Sequence, residues 1–415
     1  MKIGIDIRNI GRKRTGDETV FFNLVKNLAE IDSTNEYLLF TDITDTAILH
    51  NMVVEPLGIA GRRNFKIVSL KCPNKFIWNV WTLPKYLRKN PVDVYHTQYI
   101  LPFFVSRKIK LITTIHDISF NFYPQFIKRM DLFFLKILIP RSLKRADKII
   151  AVSEFTKKEI INFYKIAPDK VNVAYNSIGK NFGMRKAVCE KPTTKRHIQI
   201  RRYECAHTND NLERVKIKYN LPEKVILYLG TMQPRKNLPF LIKAYAGVKN
   251  KLNGTKLVIA GKKSHNYDKK IDEAIARHNL FQDVIFPGYI DETDKPILFR
   301  LSHFFVLPSL YEGFGIPVLE AMSQGVPVLA ADIPSLKEVG EKAVLYFNPR
   351  DLASLEEALY NISINQNLRE ELARSGLERS RFFSWGKTAQ KMLEVYKNLT
   401  ENRRMGSKKW EVGFF

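Results

Sequence analysis

The stretch Val306 to Asp332, V-L-P-S-L-Y-E-G-F-G-I-P-V-L-E-A-M-S-Q-G-V-P-V-L-A-A-D, leaves its chain few ways to fold. The apolar run Phe304-Phe305-Val306-Leu307 reads as a buried strand, Pro308 to Gly315 as a loop, Ile316 to Gln324 as a helix, and Val326 to Ala330 as the next strand. Pro317 suits a first helical turn, where a missing N–H is no loss, and Gly325 suits the left-handed residue that ends a helix.

Gly313, Gly315 and Pro317 break any helix between Glu312 and Glu320, so these two carboxylates cannot share one helical face as a metal-binding pair would. They flank a helix N-terminus instead. Such an end presents unpaired N–H groups and a partial positive charge, and the backbone at Phe314, Gly315 and Ile316 can receive phosphate oxygens. A phosphorylated ligand fits, with Glu312 facing its far end and Glu320 accepting hydrogen bonds from vicinal hydroxyls such as those of a ribose. Acidic residues near a helix start also occur simply to match the helix dipole.

The string E-G-F-G-I-P-V-L-E-A-M-S-Q-G-V-P-V-L-A-A-D resembles the nucleotide-sugar signature of the family 4 retaining glycosyltransferases, in which two glutamates eight positions apart flank the donor. That resemblance implies a GT-B fold: α/β, two Rossmann-like doubly wound domains facing a central cleft.

A chain of 415 residues, 45% hydrophobic and 26% charged, is long enough to bury two cores. Its three cysteines, Cys72, Cys189 and Cys205, have no metal-ligand spacing and indicate neither a disulfide framework nor a zinc site, as suits a reducing cytoplasm. No signal peptide is visible, and no apolar run is long enough to span a bilayer. The net charge of +25 implies a polyanionic neighbour, either nucleic acid or an anionic membrane face.

Lys2 to Ile7 predicts the first strand and Thr19 to Glu30 a helix, joined by a loop that contains Arg14-Thr15-Gly16-Asp17. A glycine there is a turn residue in its own right; the resemblance adds that a Thr-Gly turn approaches the donor phosphates and the acceptor, which singles out Gly16. Asp17 and Glu18 depart from the family pattern of an apolar residue and a second glycine. Tyr37–Phe40, Phe65–Leu70, Val92–His96 and Ile109–Ile115 predict further short strands of a doubly wound parallel sheet, whose ligands gather at strand carboxyl ends. His116 stands at one such end and could merely close the strand; T-I-H-D-I-S-F also resembles the family's histidine segment near the transferred sugar. His96 reads as a strand-end polar residue, Ser153 as a helix N-cap, and Trp78 and Trp81 as core. Pro124 to Lys148 mixes apolar and basic residues, which suits either a core-facing stripe with a solvated basic face or a helix lying on an anionic membrane.

The expected divisions are an acceptor-side domain at 1–178, a linker or insertion at 179–220, a nucleotide-sugar domain at 221–382, a helix at 383–399 crossing back to the first domain, and a loose tail at 400–415. In the second domain the strand Val225–Leu229 leads through Gly230 to Arg235, Lys236 and a helix, a second anion-binding element. G-T-M-Q-P-R-K-N-L resembles the family's phosphate clamp, with Arg235 and Lys236 at its basic positions and Thr231 where some members carry another arginine. The strand Val284–Ile290 ends where family members hold the nucleobase through backbone groups, which implicates Gly288 and Ile290.

The resemblance therefore implies a metal-independent hexosyltransferase with no cofactor beyond its sugar-nucleotide donor, GDP- or UDP-linked. Glu312 would orient the transferred sugar, His116 touch its hydroxyl rim, and Glu320 hold the ribose. The histidine and clamp segments look most like mannosyltransferases of lipid-linked surface polysaccharides, which favours GDP-mannose and a lipid-linked glycan or saccharide acceptor. The expected location is cytoplasmic or peripheral on the inner membrane face. Alternatives are another GT-B enzyme, such as a sugar-nucleotide epimerase or phosphorylase, and a basic nucleic-acid-binding protein; for the latter the basic residues are too dispersed and no reading module appears, so no nucleic-acid partner is expected.

Overall fold

A computed structural model describes residues 1–11, 16–179, 182–183, 210–263 and 266–411. Arg14 and Thr15 of the first loop, most of the basic insertion with Cys189 and Cys205, and residues 412–415 lie outside the described residues. The chain divides into two compact units, Met1–Ser177 with Ser384–Phe415, and Ile178–Phe383.

The first unit is built on seven strands: β1 Lys2–Asp6, β2 Glu36–Thr41, β3 Phe65–Ser69, β4 Val94–Gln98, β5 Lys110–Ile115, β6 Lys148–Ala151 and β7 Val171–Val173. All pair in parallel in the order β3-β2-β1-β4-β5-β6-β7. A parallel sheet needs helical crossovers and so buries both faces, and alternate residues of each strand serve opposite layers. Ile3, Ile5 and Leu39 join one layer with Phe21, Leu24 and Leu28 of the Gly16–Ile31 helix and with Trp385, Met392 and Tyr396. Phe40, Tyr95, Leu111 and Ile149 join the other, beneath Trp78, Leu83, Ile139 and Leu143.

Six strands form the second unit: β8 Val225–Leu229, β9 Lys256–Ala260, β10 Val284–Ile285, β11 Phe304–Leu307, β12 Val328–Ala331 and β13 Leu345–Phe347, again parallel, in the order β10-β9-β8-β11-β12-β13. In each sheet the winding reverses beside the first strand, at β1/β4 and at β8/β11. The carboxyl ends of those strands are where a doubly wound sheet leaves a crevice.

Several local expectations shift. The strand expected over Val284–Ile290 stops at Ile285, because Pro287 offers no N–H and Gly288 turns with φ +80°. Trp78 is fully buried but Trp81 is 66% exposed, so one tryptophan of the pair is not core. The last helix runs from Trp385 to Glu411 rather than ending at Leu399, so the expected tail begins as helix. The described residues of the expected linker count with the second unit: Phe182 lies 6.0 Å from the Phe299 ring, and the Tyr219 hydroxyl donates to Asp294 at 2.9 Å.

Candidate active site

The second unit carries the denser cluster. Beyond β8 the chain makes a short 3-10 turn, Pro234–Lys236, which Asn237 ends in the left-handed conformation, φ +59°, before the Leu238–Val248 helix. Beyond β11 comes the Pro308–Gly315 loop, tied to that turn by the Leu310 N–H donating to the Arg235 carbonyl at 2.9 Å. This backbone bond brings two segments 75 positions apart into register. Lys236 Nζ then donates to Glu312 Oε1 at 2.5 Å, and Ser309 Oγ donates to the same oxygen at 2.6 Å. Arg235 Nη1 reaches Glu312 Oε2 at 3.1 Å and the Tyr311 carbonyl at 3.0 Å.

Lys236 and Glu312 are each 7% exposed. Burial pushes the Glu312 carboxyl upward, but Lys236 and Arg235 outweigh it and hold the group at about 2, so it is ionised throughout the neutral range. Two cations share one carboxylate and leave a local excess of one positive charge, with the shared contact fixing both cations in place.

Gly315 opens the Ile316–Ser323 helix with φ +104°, and Pro317 occupies its first turn. A Cβ on Gly315 would lie 2.4 Å from Leu336 Cδ2. We therefore expect Gly315→Ala to cost about 1–3 kcal/mol, read as a lower denaturant midpoint; an unchanged midpoint would mean that Leu336 yields without cost. Among the described residues, the N–H groups of Gly315 and Ile316 donate no hydrogen bond.

Glu320, one turn into this helix, is 9% exposed, and its carboxylate accepts no hydrogen bond from any described residue. Burial raises it to about 7, with Lys295 drawing it down and Glu292 pushing it up. Lys295 itself pairs with Glu292 at 2.6 Å.

Gly288 and Ile290 lie past β10. The Gly288 carbonyl accepts from the Gly261 N–H at 2.8 Å, and Ile290 is buried. Gly261, φ +139°, approaches β8 so closely that a Cβ there would stand 1.9 Å from the Gly230 oxygen. The ends of β8, β9 and β10 thus converge with no room for side chains.

In the first unit His116 follows β5, with Nε2 3.0 Å from Gln98 Oε1 and the Tyr99 ring 5.6 Å away. Asp117 accepts from the Ser119 N–H and hydroxyl, at 2.9 and 2.7 Å, and so shapes the turn after the histidine. Gly16 is exposed at the start of its helix, and Glu18 accepts from the Gly11 N–H at 2.9 Å, which fastens the beginning of the loop. Ser153 caps its helix by accepting from the Thr156 N–H at 2.9 Å. His96 stands mid-strand, fully buried, with its two nitrogens 2.7 Å from the Tyr396 hydroxyl and 2.8 Å from Thr114 Oγ1. Burial and neighbouring His116 depress it to about 3, so it is a neutral structural group.

Sequence reasoning missed a buried network at the end of β1. Asp6 takes Arg8 in a bidentate pair, with Nε–Oδ1 2.9 Å and Nη2–Oδ2 2.7 Å, and also the Tyr95 and Thr97 hydroxyls, each at 3.2 Å. Burial would raise Asp6, yet Arg8 holds it below its ordinary value. The signal available was the charge pair in I-D-I-R at a strand end. Cys72 is a free, partly buried thiol, and among the described residues no group of three His, Cys, Asp or Glu could hold a metal ion.

Comparison with known proteins gives consistent matches. Residues 15–180 match the family model described as Glycosyltransferase Family 4, and residues 209–379 the model described as Glycosyl transferases group 1. The chain is 29% identical over 309 residues to O-antigen chain mannosyltransferase B of Escherichia coli, covering 74% of each chain. It is 31% identical over 261 residues to serotype-specific mannosyltransferase WbdA of Escherichia coli, covering 62% of this chain but 30% of that longer protein. Among solved structures, sucrose-phosphate synthase from Thermosynechococcus elongatus superposes with a TM-score of 0.74 at 19% identity, over 97% of this chain and 99% of that one. The fold is thus the two-sheet α/β GT-B architecture that the sequence implied.

Proposed function

Because the chain belongs to the family 4 glycosyltransferases, we propose that it is a retaining mannosyltransferase of surface-glycan synthesis that moves mannose from GDP-mannose to a lipid-linked or polysaccharide acceptor. The observation that carries this reading is the Lys236–Glu312–Arg235 cluster next to the Gly315 helix tip. Charge that develops on a departing diphosphate needs fixed cations and N–H groups, and these are held in place before any substrate arrives.

In this scheme the bond from the sugar C1 to the phosphate oxygen breaks while a bond from C1 to the acceptor hydroxyl forms on the same face. The departing phosphate oxygen takes the acceptor proton and leaves as part of GDP. Arg235, Lys236 and the Phe314, Gly315 and Ile316 amides receive the diphosphate, with Gly16 on the phosphate and acceptor side. Glu312 holds the two cations and orients the donor. Glu320 accepts the ribose hydroxyls, Gly288 and Ile290 border the base, and His116 meets the hydroxyl rim of the sugar. The cationic clamp does the work of a divalent ion, so transfer is metal-independent and requires no further cofactor. The protein acts at the inner face of a membrane as a peripheral enzyme.

A panel of sugar nucleotides tests the donor. GDP-mannose is expected to give the largest thermal shift and the fastest turnover, and stronger protection by a UDP-sugar would overturn the mannose assignment. Product analysis without acceptor separates transfer from epimerisation.

A further inference from the structure

We infer that Gln98 is a positioning residue for His116: it holds the imidazole in the Nε2–H form, so that the histidine meets its substrate as a hydrogen-bond acceptor through Nδ1. This deepens the reading above, which puts His116 at the hydroxyl rim of the transferred sugar, and rests on it for its purpose. The arrangement itself is read from the first unit alone.

A carboxamide oxygen carries no proton and can only accept. Gln98 Oε1 stands 3.0 Å from His116 Nε2, so that nitrogen carries the proton, and the lone pair of the neutral ring falls on Nδ1. Asn9 Nδ2 donates to the same oxygen at 3.5 Å, which favours the amide orientation with its oxygen toward the ring. His96, on the same strand as Gln98, shows the contrast. Its two nitrogens meet the hydroxyls of Tyr396 and Thr114, which donate or accept equally well and so impose no tautomer.

The backbone is arranged to bring the amide to the ring. Gln98 is the last residue of β4 and stands opposite Thr114 of β5. Side chains two positions apart in extended chain share a face, so His116, two residues beyond Thr114, comes next to Gln98 on the same face. Past Gln98 the chain doubles back at once. The Ile100 N–H donates to the Gln98 carbonyl at 2.7 Å, and Tyr99 between them takes φ +56°, where a bulky aromatic residue is a genuine outlier. The Tyr99 N–H donates to the Thr114 carbonyl at 3.0 Å, which ties this strained turn to β5. The turn also lays the Tyr99 ring beside the imidazole, with centroids 5.6 Å apart and planes tilted by 51°. Backbone strain of this kind persists where the surroundings over-determine it, and it gathers at functional sites. A glutamine that merely closed a strand end would need no strained turn after it.

The consequence is chemical. An imidazole that presents Nδ1 as a lone pair selects a partner that donates, such as a sugar hydroxyl, and gains nothing from a carbonyl or an ether oxygen.

The test is NMR of the full chain with isotopically labelled histidine, recorded at about pH 8, above the ordinary histidine range. Among the eight histidines, His116 is assigned by the signals missing from His116→Asn. Wild type should show the His116 proton on Nε2, exchanging slowly enough with water to give a nitrogen–proton cross-peak. In Gln98→Leu, which keeps the bulk and removes the acceptor, that cross-peak should vanish and the ring nitrogens should move toward the average of the two tautomers. The remaining histidine signals should stay in place, which reports an intact fold. Turnover of GDP-mannose should fall about tenfold in Gln98→Leu, chiefly in kcat, the worth of about one hydrogen bond. The same substitution in a His116→Asn background should cost no more than about twofold, because a positioning residue has little effect once its target is gone. A proton on Nδ1 in wild type, a His116 spectrum unchanged by Gln98→Leu, or an equal loss of turnover in both backgrounds would overturn the proposal. The spectra need no substrate, so a different donor would overturn the GDP-mannose assignment and leave the tautomer result standing, and the wrong tautomer would leave the donor panel standing.

Discussion

Sugar-nucleotide turnover in Lys236→Ala is expected to fall about 10²–10³-fold, the loss typical of removing one preorganised electrostatic donor from a water-poor site. The same change strips Glu312 of its 2.5 Å partner in a buried setting. Breaking a buried ion pair from one side costs about 3–5 kcal/mol, and here the cost lies toward the low end because Arg235 and Ser309 still reach the carboxylate. Activity and stability would then fall together, and the single variant alone would not separate them. The double variant Lys236→Ala/Glu312→Gln removes the stranded charge: thermal unfolding should recover much of the lost stability while turnover stays low. Recovery of turnover alongside stability would mean that the pair is architectural and that the diphosphate binds elsewhere.

The second large effect concerns Glu320 and pH. Its carboxyl titrates at about 7 in the folded protein against an ordinary value of 4.5, because the native state keeps it buried and without hydrogen bonds. A group whose folded pKa is raised binds more protons in the native state, so its contribution to stability is fully present below about pH 4.5 and is lost as pH rises to about 7. A shift of this size corresponds to about 3 kcal/mol. Ribose hydroxyls donating to the carboxylate would favour its charged form, so donor binding near pH 6.5 should release a proton and tighten as pH rises toward 7.5. Calorimetry in two buffers of different ionisation enthalpy measures that release directly. Glu320→Gln should abolish it, weaken donor binding, and flatten the decline of stability between pH 5 and 7.5. Proton release that persists in Glu320→Gln would assign it to another group and remove Glu320 from the ribose site.

The strands β8 and β11 were legible because continuous apolar runs end at Gly230 and Pro308, and the end of the Ile316–Ser323 helix because Gly325 takes φ +68°. The candidate site was legible in part. Both loops could be assigned to helix N-termini, but the ion pair between Lys236 and Glu312 depends on a backbone bond across 75 positions that no local pattern announces. His96 is a similar case, since its partner Tyr396 stands 300 positions away. Trp81 was misread because helical spacing reports an apolar stripe without saying whether protein covers it. The final helix was drawn short because the charged run N-R-R-M-G-S-K-K carries little apolar periodicity, although it extends an already nucleated helix.

The chain leaves its first unit after Ser177 and returns to it only at Ser384. A ribosome delivering this protein therefore finishes the second unit's segment before supplying Trp385, Met392 and Tyr396, the side chains that complete the layer over Phe21 and Leu24 and the hydrogen bond to His96. For more than two hundred residues of synthesis the nascent amino-terminal half waits with an uncovered flank. The order of emergence thus makes the lagging carboxyl terminus a late structural keystone, and the contiguous middle segment the part able to mature first.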